Sequence, residues 1–220
     1  MIKAVLFDLD GTLIDSIEDL ADSTNFALEK FSFPTHKVEK FRYFIGDGMS
    51  KLIERALPEV SRNTETIIRV KECFMEHYRS HFADKTYVYE GIPELLARLK
   101  DNGLKLAVLS NKANEMVSVI IEKLFGECFD VVYGKVEGYA TKPDPELAKR
   151  VLEELNVTPE ECVMVGDSGM DAAMAVNLGC IGIGVLWGFR TQEELLQNGA
   201  HYIANNPDEV FDIVKKGLQI

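Results

Sequence analysis

Apolar positions along this chain follow two periods, and the switch between them divides it. Short runs at 2–7, 104–109, 131–133, 162–165 and 181–185 are apolar on both faces and rich in Val, Ile and Leu. Such runs predict buried strands of a parallel sheet covered by helices. Helical patterns lie between them. One at 93–100 stops at Asn102-Gly103, one spans 145–155, and one at 171–178 closes at Gly179. Strands alternating with helices of this length predict an α/β fold with right-handed crossovers.

The alternation breaks between 14 and 82. No strand pattern is evident there. Helical stretches at 16–31, 37–44, 49–57 and 64–82 are punctuated by Pro34, Gly46-Asp47-Gly48 and Pro58. The expected architecture is a Rossmann-like three-layer parallel-sheet core, 1–13 and 83–220, with an all-helical cap domain inserted at 14–82. An insert placed directly after the first strand stands where a lid belongs.

Composition narrows the partners. With 220 residues, 46% hydrophobic and 27% charged, the chain is ordinary globular material. A net charge of −12 argues against nucleic acid, and the longest basic cluster, Lys215-Lys216, is too small to offset it. Cys73, Cys128, Cys162 and Cys180 form no Cys-x-x-Cys pair and are expected as free thiols. Four apolar residues between Lys3 and Asp8 are too few for a signal peptide. The apolar stretch 180–189 carries three glycines and falls short of a membrane span. The expectation is a cytoplasmic protein without a membrane or nucleic-acid partner, monomer or homodimer.

Ligands of an open parallel sheet bind beyond the carboxyl ends of its strands. The first end carries Asp8-Leu9-Asp10-Gly11-Thr12, two carboxylates and then a turn that exposes backbone N–H groups. The second carries Ser110-Asn111-Lys112, the fourth Gly166-Asp167-Ser168-Gly169-Met170-Asp171, and Lys142-Pro143-Asp144-Pro145 stands ahead of a helix. Together they suit phosphoryl transfer. Mg²⁺ prefers octahedral oxygen ligation with a few carboxylates. Asp8, Asp167 and the Asp10 carbonyl would supply protein oxygens, while Lys142 and the Ser110 hydroxyl hold the phosphoryl group. Hydrolysis of phosphate monoesters needs accelerations of up to ~10²¹, roughly 28 kcal/mol, so positioning, charge neutralisation and covalent catalysis must combine.

These four motifs, with Leu13-Ile14-Asp15-Ser16 extending the first, resemble in order those of the haloacid dehalogenase-like phosphatases. Within that superfamily the chain is most similar to phosphoglycolate phosphatases. Gly46-Asp47-Gly48-Met49 and Gly188-Phe189-Arg190 support the closer placement. The resemblance implies that Asp8 is the nucleophile and that Asp10 protonates the leaving oxygen, then deprotonates water. It implies that Ser110, Lys142 and Asn111 orient the phosphate, with Gly11 and Thr12 beside it. Asp167 completes the metal shell, and Asp171 holds Lys142 or a metal-bound water. A halide leaves without a proton, so an acid at Asp10 favours phosphoryl transfer over dehalogenation.

The expected activity is Mg²⁺-dependent hydrolysis of a small phosphorylated metabolite, phosphoglycolate first, through an aspartyl-phosphate. A β-phosphoglucomutase-like isomerase and an inorganic pyrophosphatase are the enzymatic alternatives. A receiver-type phospho-accepting module is the non-enzymatic one. In the cap, Gly46, Asp47 and Gly48 are candidates for the substrate site, as are Lys51 and Arg55. Gly166-Asp167-Ser168-Gly169 resembles a serine-protease signature, but no other feature of such an enzyme is present, and Ser168 is expected as a loop residue. His77 and His81, four apart on a helix, are expected on its surface, since the glutamate of His-Glu-x-x-His is missing.

Overall fold

The apolar runs become the interior of one sheet. The computed structural model describes residues 1–218. Its strands are β1 (Ala4–Phe7), β2 (Ile14–Asp15), β3 (Tyr87–Val88), β4 (Lys105–Ala113), β5 (Val131–Lys135), β6 (Cys162–Gly166), β7 (Ile181–Val185) and β8 (Tyr202–Ala204). Its helices are α1 (Ile17–Lys30), α2 (Val38–Phe41), α3 (Met49–Ala56), α4 (Thr64–His81), α5 (Ile92–Asp101), α6 (Asn114–Phe125), α7 (Glu146–Leu155), α8 (Gly169–Leu178), α9 (Gln192–Gln197) and α10 (Pro207–Leu218).

Among the described residues, six strands pair in parallel in the order β5-β4-β1-β6-β7-β8. Successive side chains on a strand point to opposite faces. Val5 and Phe7 of β1 accordingly join Leu106 and Val108 of β4 and Val163 and Val165 of β6 on one face, under α5, α6 and α10. Ala4, Leu6, Ala107, Leu109, Cys162 and Met164 face the other way, against α7 and α8. The result is the three-layer α/β architecture. Phe7 stands level with Val108 on one side and Val165 on the other. The residues after β1, β4 and β6 therefore emerge at the same edge.

Helices α1 to α4 build a separate apolar cluster around Leu28, Phe41, Ile53, Phe74 and Tyr78, which Met116 and Phe189 join from outside the insert. The chain enters and leaves this region through β2 and β3, which pair antiparallel, Ile14 opposite Val88 and Asp15 opposite Tyr87. The sequence pattern shows no strand there because two residues are too few to display a period. Asp19, buried on α1, fastens the return. It accepts from the Lys85 and Thr86 backbone N–H groups, the latter at 2.8 Å, and from the Thr86 hydroxyl at 2.7 Å.

Two further differences bear on the site. Strand β4 runs past 109 through Ser110-Asn111-Lys112, with a register shift against β5 between Leu109 and Ala113. Its polar end is a continuation of the strand, where a loop is expected from the pattern. Ser168 caps α8 through a reciprocal box with Asp171 and is buried, so it is more than a loop residue. All four cysteines are free thiols, Cys162 and Cys180 buried. Among the described residues no helix is long and apolar enough to cross a membrane.

Candidate active site

Four carboxylates and two lysines converge at the carboxyl edge of the sheet. Asp8 leaves β1 and accepts from Lys142 Nζ at 2.8 Å, and the same ammonium reaches Asp171 Oδ1 at 2.6 Å. The other oxygen of Asp171 accepts from the Ser168 backbone N–H and hydroxyl, at 3.1 and 2.6 Å. Asp171 thus spends itself on Lys142 and on its own helix start. Asp167 accepts from the Phe189 N–H at 2.8 Å and from the Thr12 hydroxyl at 3.3 Å.

Asp10 stands across the site on a tight turn in which Leu9 O accepts from the N–H groups of Thr12, Leu13 and Ile14. Gly11 adopts a φ of +89°, and a Cβ there would collide with Asp167 and Phe189. Two donors hold the Asp10 carboxylate. Ser16 Oγ lies 2.5 Å from Oδ1, and Lys112 Nζ lies 2.9 and 3.2 Å from the two oxygens.

The electrostatics are those of a site short of positive charge. Burial, reinforced by Asp171, pushes Asp8 up to about 7. Burial, with Asp171 and Asp8 nearby, raises Asp167 far above the usual carboxylate range. Burial works against the Lys142 charge, yet Asp171 and Asp8 outweigh it and hold the ammonium above its ordinary value. With all four carboxylates ionised, the two ammonium groups would leave two negative charges; a divalent cation would balance them and favour that ionised state. Oxygens of Asp8, Asp167 and Asp171 lie within 4.8 Å of one another. An all-oxygen donor set of this kind fits Mg²⁺.

Beside these groups lies a cavity of about 50 Å³, lined by Asp8, Asp10, Ser110, Asn111 and Lys112 from the sheet edge and by Gly46, Gly48 and apolar side chains from the insert. Not every expected residue faces it. Thr12 directs its hydroxyl to Asp167, and the glycine at 11 serves close packing there. The Asn111 amide is engaged at both ends, donating to Gly46 O at 3.0 Å and accepting from the Lys142 N–H at 2.8 Å. Asp47 pairs with Arg55 and lines a second cavity of about 340 Å³ together with Tyr43, Ser168 and Arg190. Lys51 pairs with Glu54 on the surface. His77 and His81 stack at 4.0 Å, with the His77 Nδ1 occupied by Ser23 and the His81 Nδ1 by a helix carbonyl.

Sequence reasoning assigns no role to the Lys112 side chain or to Ser16. The signal for Lys112 is its distance from Ser110. Residues two apart on a strand share a face, so once β4 extends through 112, both side chains point to the same place. Ser16 is brought back to Asp10 by the β2 turn, which the pattern does not reveal.

Comparisons with known proteins point one way. The sequence model of the family described as haloacid dehalogenase-like hydrolase matches residues 5–185. A phosphoglycolate phosphatase of Chromobacterium violaceum is 34% identical over 98% of this chain and 98% of its own length. Its counterpart from Psychrobacter arcticus is also 34% identical, over 96% of this chain and 91% of that protein. A crystal structure from Lactobacillus delbrueckii, of a protein provisionally called a phosphoglycolate phosphatase, has a TM-score of 0.91 at 32% identity, covering 96% and 98% of the two chains. CbbY from Rhodobacter sphaeroides, crystallised with phosphate, has a TM-score of 0.79 at 25% identity and covers 96% of both.

Proposed function

The chain belongs to the haloacid dehalogenase-like hydrolase family, and from that premise we propose that it hydrolyses phosphoglycolate through an aspartyl-phosphate on Asp8, with Mg²⁺ as cofactor. At the coarser level it is a phosphoric monoester hydrolase, which removes the receiver-type alternative. The segment 14–82 serves in this proposal as a cap domain over a core of 1–13 and 83–220.

The observation that carries the substrate assignment is the near-full-length similarity to a phosphoglycolate phosphatase, 34% identity over 98% of this chain. That supports a phosphatase of small esters over a β-phosphoglucomutase-like enzyme.

In the proposed mechanism Asp8 attacks phosphorus while Asp10 gives its proton to the leaving oxygen. Asp10 then takes a proton from the water that cleaves the acyl phosphate, and Asp8 is regenerated. Lys142 steers the Asp8 carboxylate and, with the Ser110 hydroxyl, meets the negative charge on the phosphoryl oxygens. Asp171 positions Lys142, and Asn111 fixes the Lys142 backbone. Asp8, Asp167 and the Asp10 carbonyl would hold Mg²⁺, which when bound neutralises phosphate charge and orients the ester. Gly11, Thr12 and the Phe189 N–H keep Asp167 in place.

A phosphate-release assay with Mg²⁺ over phosphoglycolate, pyrophosphate and β-glucose 1-phosphate tests this. Phosphoglycolate should be turned over best, and Asp8→Asn should lower its kcat at least ~10⁴-fold and abolish phosphoenzyme formation. Substantial turnover by Asp8→Asn would sink the nucleophile assignment.

A further inference from the structure

The cavity beside Asp8 and Asp10 has an uncharged ceiling. Leu20, Ile45, Met49 and Leu52 form it, with the backbone at Gly46 and Gly48. Of its lining residues among those described, Lys112 alone carries a positive charge. Lys142 is committed to Asp8 and Asp171, and Arg55 lines the second cavity. Arg190 also borders the space beside Asp8, Asp10 and Asp167, but its guanidinium is engaged by the Arg42 and Ile45 carbonyls and by Glu194. The Lys112 side chain is only 4% exposed. Its ammonium has three N–H donors. Asp10 takes part of that capacity, and the Tyr78 ring lies 4.8 Å away.

A substrate that fits here and places its phosphate at Asp8 must bring the rest of itself within reach of Lys112. If that remainder were anionic and met no cation, its burial would be strongly unfavourable. The geometry points to Lys112 as the specificity residue of this site, donating to the carboxylate of a small phosphorylated carboxylic acid while it holds Asp10. The inference rests on the phosphatase activity proposed above and deepens it. One ammonium would thus serve both Asp10 and the substrate carboxylate.

Ethyl phosphate, which replaces the carboxylate of phosphoglycolate with a methyl group, isolates this contact. The experiment measures kcat and KM for both esters with Mg²⁺ in the wild type, Lys112→Met, Lys112→Gln and Lys112→Arg, after thermal melts establish which variants fold. The wild type should favour phosphoglycolate by about 100-fold or more in kcat/KM. Loss of support for Asp10 lowers both substrates alike, so the ratio of the two is the readout. Met and Gln should bring that ratio close to one, mainly by raising KM for phosphoglycolate, and Arg should restore part of it. A ratio unchanged in the folded variants overturns the assignment and leaves Lys112 as a support for Asp10.

Competitive inhibition of the wild type by 3-phosphonopropionate and by propylphosphonate, which keep the length of phosphoglycolate and of ethyl phosphate, needs no variant. Equal inhibition by the two also overturns it. Strong discrimination in favour of 3-phosphonopropionate, together with failure to hydrolyse phosphoglycolate, would sink the phosphoglycolate assignment and leave the carboxylate contact standing.

Discussion

Asp8 concentrates the conflict in this site. Burial and the neighbouring Asp171 lift its carboxyl from an ordinary 3.8 to about 7, and the same causes, with Asp8 itself, lift Asp167 well above its ordinary value. A raised folded value means that the folded protein holds a proton the unfolded chain has released. The associated stability is complete below pH ~4 and is lost as pH rises through ~7. A divalent cation reverses the balance, since it binds the deprotonated carboxylates. Protein stripped with EDTA should therefore melt at a higher temperature at pH 6 than at pH 8 as far as these groups decide. Mg²⁺ should raise the melting temperature more at pH 8. His77, held below its ordinary value by burial, works in the opposite direction near pH 6. It cancels in the difference with and without Mg²⁺, which is the quantity to measure. An equal or smaller Mg²⁺ effect at pH 8 would contradict the assignment of these carboxylates to the metal.

At the scale of elements, the two crossings between insert and sheet decide how the insert is held. Asp19 is 2% exposed and ties 85–86 to α1 through three donors, the Lys85 and Thr86 N–H groups and the Thr86 hydroxyl. Asp19→Ala removes the charged acceptor of these half-buried donors and should cost about 2–3 kcal/mol in urea unfolding. The nearby exposed pair Lys85–Asp22 is solvated, so Asp22→Ala should leave the urea midpoint nearly unchanged. A comparable loss in both variants would show that Asp19 acts only as a surface charge. The same region marks the limit of what pattern can disclose. Strands β1, β6 and β7 are legible because helices cover both faces and force continuous apolar runs. The end of β4 is not, since Ser110-Asn111-Lys112 is polar where the strand opens on the site. Helix α6 starts directly where β4 ends, without Gly or Pro to separate them, and β2, β3 and β8 are too short to show a period. The carboxylates of the site are legible from their place at strand ends. The donors that hold them, Ser16, Lys112 and the Phe189 N–H, depend on backbone direction, which residue types alone do not carry.

Over the whole molecule, the insert and the sheet edge meet through few polar contacts, and one arginine makes several of them. Arg190, on the loop after β7, donates to the carbonyls of Arg42 and of Ile45, the latter at 2.8 Å, and lies 3.5 Å from Glu194. Asn111 adds its bond to Gly46 O, and Phe189 packs into the apolar cluster of the insert. These contacts converge on the segment 42–48, which supplies part of the ceiling over Asp8 and Asp10. Apolar packing by Phe189 is non-directional, whereas the guanidinium fixes two carbonyls at defined points. Arg190 is thus the contact that sets where the segment rests. It lines the second cavity and also borders the space beside Asp8, Asp10 and Asp167, so its removal should act on closure of the proposed cap and on the charge around those carboxylates. Arg190→Ala should raise KM for phosphoglycolate by about 10-fold, the equivalent of one charge-assisted hydrogen bond lost on binding. Amide hydrogen exchange should quicken across 42–48 while the strands β1, β4 and β6 keep their protection. Quickened exchange in the strands as well would mean that Arg190 supports the fold at large, and unchanged exchange at 42–48 would mean that it does not hold the segment.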